Sequence, residues 1–142
     1  MYTKMIKYPT FDGVDMEEKF YFNLTEAELT ELQMATPGGY GSYIEKIVAA
    51  KDVPTLSKLF KDLVLMSYGE KSADGKRFIK KASDGHRLAD EFVETEAYSV
   101  LYMELISDSK AASDFVNGII PANVKAKAEQ AQNSNHPALT NK

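Results

Sequence analysis

Apolar positions recur along this chain at two different spacings, and the spacings divide it into elements. Near the N-terminus the period is two: Phe20, Phe22 and Leu24 alternate with Lys19, Tyr21 and Asn23. That pattern marks a half-buried strand with one apolar face. The run before it, MIKYPTF, is also β-prone, and Asp12-Gly13 between the two is a turn dipeptide, so residues 1–24 read as a β-hairpin. Pro9 removes a ladder donor and places the first strand at an edge or a bend. From residue 25 the period becomes helical. Thr25-Glu26-Ala27-Glu28 is a capping box, with Leu24 and Leu29 at its staple positions, and the helix it opens stops before Pro37-Gly38-Gly39. Ser42–Lys51 predicts a short helix with Tyr43, Ile44, Ile47 and Val48 inward. Asp52 and Pro54 open the next one, whose inward stripe is Leu56, Leu59, Phe60, Leu63, Val64 and Ser67, with Gly69 as its stop.

Residues 70–81 read as a polar connection holding Lys76, Arg77, Lys80 and Lys81, pinned to the body by Phe78 and Ile79. Ser83 or Asp84 can cap the stretch Leu88–Ile106, which has neither Gly nor Pro and is predicted as one long helix. In its first half, Leu88, Ala89, Phe92 and Val93 share a stripe at about 100° per residue. In its second half, Ala97, Tyr98, Val100, Leu101, Tyr102, Leu105 and Ile106 cover most of the circumference. A helix apolar nearly all round must be covered on more than one side. Neighbouring helices can supply that cover, which makes the stretch core. Alternatively a partner supplies it, and the candidate partner-binding residues are then Tyr98, Leu101, Tyr102 and Leu105. Asp108 opens a last helix carrying Ala111, Ala112, Phe115 and Val116, ended by Gly118. Beyond Pro121, large aliphatic residues become sparse, and residues 122–142 read as a polar tail, a fraying helix over 122–132 followed by a disordered end over 133–142. The expected architecture is mainly α: a helical bundle-like body over 25–121, an N-terminal β-hairpin over 1–24 within the same domain, and the tail.

Composition narrows the functions available. The 142 residues, 44% of them hydrophobic and 27% charged, suit one soluble domain burying roughly two-thirds of its unfolded surface. The net charge of −4 opposes general nucleic-acid affinity. The chain has no cysteine, so disulfides and thiol catalysis are excluded. No apolar run approaches the ~20 residues of a membrane span. The two histidines, His86 and His136, lie far apart, which leaves no pair for a metal site or a triad. Gly38-Gly39-Tyr40-Gly41 lacks the phosphate-loop spacing, and Asp12, Asp15, Glu17 and Glu18 lack that of a calcium loop. No cofactor is indicated, and no residues assemble a catalytic constellation.

Several strings carry a family resemblance: FYFNLTEAEL, a GG turn, FKDLVLMSYGEKSADGKRFIKK, FVETEAYSVLYMEL and AASDFVNGIIP, from Phe20 to Pro121. Together they resemble the tail assembly chaperones of long-tailed bacteriophages. SYG-x-KS-x-DG-x-RFIK at Ser67–Lys80 and TEAY-x-x-L at Thr95–Leu101 are the most specific parts. The resemblance implies a non-enzymatic helper in the cytoplasm of the infected cell, absent from the mature virion. Such a helper binds the tape-measure protein, keeps it soluble and promotes assembly of tail-tube protein around it. Many family members also occur in a longer, frameshifted form. The open hairpin edge and the surplus apolar surface of Leu88–Ile106 predict a homo-oligomer. Two rival readings are a minor tail or head–tail connector component and a nucleic-acid-binding regulator using Lys76–Lys81.

Overall fold

The computed structural model describes residues 1–50 and 52–121, with only the backbone described at Ile47, Val48 and Ala50. The predicted polar tail 122–142 and the predicted inward positions of Ile47 and Val48 lie outside what is described. Strands β1 (Tyr2–Pro9) and β2 (Asp15–Phe22) form the expected hairpin, in register from Tyr2 opposite Phe22 to Pro9 opposite Asp15. Gly13 closes the turn at φ 83°, where L side chains are strained.

The hairpin is not an appendage to a helical bundle, and here the expected architecture is corrected. Strands β3 (Tyr68–Lys71) and β4 (Phe78–Ile79) extend it into one antiparallel sheet of order β1-β2-β3-β4. Tyr21 pairs with Gly69, and Phe22 with Tyr68. The 70–81 connection is therefore a second hairpin, and Phe78 and Ile79 pin it as a strand. Gly69 does not stop a helix. A Cβ at this position would stand 2.7 Å from both the Ile79 carbonyl oxygen and the Phe78 ring, so the residue permits a close strand approach.

Among the described residues six helices accompany the sheet: α1 (Glu26–Ala35), α2 (Tyr40–Ala50), α3 (Val53–Ser67), α4 (Leu88–Phe92), α5 (Glu96–Ser107) and α6 (Ser109–Ile119). The capping box forms as read. The Glu28 amide donates to the Thr25 hydroxyl at 3.1 Å, and the Thr25 amide to the Glu28 carboxylate at 2.8 Å. The long helix does not survive as one. It breaks between Val93 and Thr95, where Thr95 turns extended and its hydroxyl accepts the Tyr98 amide at 3.3 Å. Neither Ser83 nor Asp84 caps α4. They sit in a turn closed by the Ala82 amide on the His86 carbonyl at 2.9 Å, and Arg87 occupies the cap position without capping the helix, its guanidinium donating instead to the Asp90 carboxylate at 3.0 Å.

α5 and α6 pack along β1, and α4 meets β3, so these helices share a face of the sheet while Thr3, Met5 and Lys7 of β1 stay exposed. Phe22 is the hub of the core, with ring centroids 5.5 Å from Phe115, 5.7 Å from Tyr68 and 5.8 Å from Phe92. Gly118 lies inside α6 and does not end it. The Tyr2 ring rests on it so closely that a Cβ would meet the ring at 2.7 Å. Around this hub Leu59, Leu63, Val64, Leu101, Leu105 and Ile119 are almost wholly buried.

Candidate partner-binding surface

α5 is held against the body by a single arc. Ala97, Leu101 and Leu105 repeat at the i, i+4 spacing and are 0%, 1% and 2% exposed. Leu101 and Leu105 are therefore core residues, and Leu105 also lines the hollow between α2, α3, α5 and α6. On the shoulder of that arc stand Tyr98 and Tyr102, half-buried, with ring centroids 5.6 Å apart. The Tyr98 ring also meets Phe92 edge-on at 5.9 Å, and burial pushes its phenol above the ordinary value.

Beyond the tyrosines the outer side of the helix is mixed, with the exposed Ser99 and Ser107 standing among apolar residues. Met103 is 57% exposed and Val100 39%, and Ile106 continues the Tyr98–Tyr102 line one turn on. Sequence reading passed over Met103, although its distance from Leu101 and Leu105 around the helix placed it outward. Glu104 is drawn from this face by an ion pair with Lys4 at 2.9 Å. Charged residues normally occupy the wet side of a helix packed on one side only. Here Val100, Tyr102, Met103 and Ile106 share that side with Glu96, Ser99 and Ser107.

Ile106 also lines a hollow of about 580 Å³ between α2, α3, α5 and α6, walled by Ile44, Leu56, Phe60, Ala112 and Val116. The outward strip of α5 thus leads into an apolar groove, a shape suited to a helix with an apolar face.

The other candidate chemistry resolves into structural roles. Lys80 folds back onto Glu28 at 2.8 Å and onto the Met66 carbonyl at 2.8 Å. Burial pushes the Glu28 carboxyl up, but the Lys80 ammonium and the Thr25 amide outweigh it and hold the carboxyl below its ordinary value. Gly38 and Gly39 make a helix-to-helix turn at φ 80° and 90°. The side chain of Gln33 accepts the amides of Tyr40 and Gly41 at the start of α2, so no phosphate cradle is left open. His86 is exposed and lies against Asp84, with Glu91 at 3.3 Å; bonds to these two carboxylates raise its pKa. It precedes α4, in the turn that leads into it. Among the described residues, no group of three or more metal-type side chains could hold an ion, and no helix is long and apolar enough to cross a membrane.

No curated protein and no solved structure matches the chain. A family model described as Phage tail assembly chaperone matches residues 1–141. With the match spanning nearly its whole length, the chain belongs to the phage tail assembly chaperone family.

Proposed function

We propose that this protein is a non-enzymatic chaperone that binds the tape-measure protein in the cytoplasm of the infected cell, keeps it soluble, and promotes assembly of tail-tube protein around it. It leaves before the virion is complete, and it works as a homo-oligomer. The observation that carries the reading is the outward side of α5, where Tyr98, Val100, Tyr102 and Met103 stand on a helix already anchored by Leu101 and Leu105. Fully burying one Val or Met side chain is worth roughly 1.5–3 kcal/mol, so a few such positions supply useful affinity. A tyrosine suits the surface because its hydroxyl tolerates water when free and its ring buries a large area when bound. A long helical partner exposing apolar stripes before assembly would lie along this strip and into the groove beyond Ile106.

Co-expression tests the reading. With a Tyr98→Ser, Tyr102→Ser double variant, the tape-measure protein is expected in the insoluble fraction, while circular dichroism of the purified variant keeps its helical signal. Because Tyr98 also supports Phe92, a Met103→Glu variant serves as a second probe that leaves the core untouched. Unchanged solubilisation by both variants would remove α5 from the interface.

A further inference from the structure

Among the described residues, α1 is the one helix with none buried. Leu29 and Leu32 are half-buried, and Met34 is 83% exposed. Hollows lie along both its sides. One, of about 470 Å³, is lined by Leu32 of α1 together with Leu65 and Met66 of α3. The other, of about 270 Å³, is lined by Leu29 together with Tyr40, Leu63, Ile119 and Ile120. A ten-residue helix is too short to persist alone in water, so α1 exists only while the body holds it down. Two leucines and a few polar links do the holding. Near its N-terminal end the Lys80 ammonium donates to both oxygens of the Glu28 carboxylate, at 2.9 and 2.8 Å, and to the Met66 carbonyl at 2.8 Å. Near its C-terminal end Gln33 accepts the amides of Tyr40 and Gly41. The chain on either side is fixed independently of α1. Leu24 is buried with its amide on the Ile119 carbonyl at 2.9 Å, and Tyr40 is buried at the start of α2.

We propose that α1 is a strap: in the free protein it lifts from the body and melts as one unit, while the sheet and the other helices stay folded. Regions with few buried apolar contacts open at far lower cost than the whole molecule unfolds. Gly38 and Gly39, between α1 and Tyr40, give the strap a hinge, because glycine enters backbone regions that strain other residues. The pair of Lys80 and Glu28 is its latch. Lifting α1 bares Leu63, Met66, Ile119 and Ile120. That floor continues into the groove beyond Ile106, since Ile44 and Val116 line both. The strap therefore sets how much apolar surface the protein shows, a short groove when shut and a longer one when lifted. Opening belongs to the free protein and stands or falls without any tape-measure protein.

Native-state hydrogen exchange of the full chain, in water and in low denaturant, tests it. The amides of α1 beyond its first turn are expected to exchange as one set, at least a hundredfold faster than those of Leu101 and Phe115, and with little response to denaturant. Lys80→Met is expected to speed the whole α1 set at least fivefold, and so is Glu28→Gln, which keeps an acceptor for the cap. A Leu29→Ser, Leu32→Ser variant, lacking the two apolar anchors, is expected to lose all protection in α1 while Leu101 and Phe115 stay protected. Its fluorescence with anilinonaphthalene sulfonate, a dye that lights up on apolar surface, is expected to rise at least twofold over wild type. Amides of α1 as slow as those of Leu101, or protection lost throughout the double-serine variant, would overturn the strap. An α1 set unmoved by both Lys80→Met and Glu28→Gln would overturn the latch. Unchanged dye fluorescence with α1 unprotected would overturn the bared floor.

Discussion

The clearest link from sequence to energy at the residue scale is the start of α1. Thr25 and Glu28 form a reciprocal pair, and Lys80, distant in sequence, grips the same carboxylate. Thr25→Ala removes the hydroxyl that accepts the Glu28 amide, and a loss of about 0.5–2 kcal/mol in denaturant unfolding is expected. Glu28 also makes stability depend on pH, with a definite sign. Its folded-state pKa lies below the ordinary 4.5, so its contribution is present above that value and is lost as pH falls through the folded pKa. Compared with Glu28→Gln, the wild-type advantage in chemical denaturation should hold at neutral pH and vanish in acid. An advantage unchanged across that range would mean that the carboxylate is not the stabilising species. The capping half of this arrangement was legible because it is local, a Thr and a Glu three residues apart. The Lys80 half was not, since nothing in a run of cations says which one turns inward to a particular carboxylate.

Among the elements, two features were read wrongly for opposite reasons. α5 carried its own start signal, Thr95-Glu96, but an uninterrupted apolar stretch outweighed it, and the break after Phe92 went unseen. β3 carried almost no signal. It is four residues long, YGEK, and follows directly on the last residue of α3, so its strand character comes from pairing with Phe22 and not from its own propensity. The β1–β2 hairpin was legible because both its alternation and its turn are local. For the candidate surface, helical periodicity identified α5 as over-supplied with apolar residues, but only the packing separates its two sides. That separation has a measurable consequence. Leu101→Ala should cost about 2–5 kcal/mol, since the side chain is 1% exposed and leaves a cavity. Met103→Ala, at 57% exposure, should change stability by no more than about 0.5 kcal/mol. Thermal or denaturant unfolding of the pair checks the assignment, and similar losses for both would place Met103 in the core.

For the whole molecule, a sheet-backed body around Phe22 fixes α5 in place and leaves Val100 and Met103 exposed on its outer side, while among the described residues β1 is an edge strand. A stable fold that displays such a helix side is well suited to holding another protein's apolar surface without losing its own structure. The proposed function therefore stands on whether that side is the contact. The most direct test is a binding titration of purified tape-measure protein, held soluble as a fragment, against wild type and a Val100→Glu, Met103→Glu double variant. Both positions are exposed, so the variant should melt like wild type while placing two charges where a partner's apolar face would lie. Affinity weakened at least tenfold with unfolding unchanged is the expected result. Equal affinity for the two proteins would contradict it.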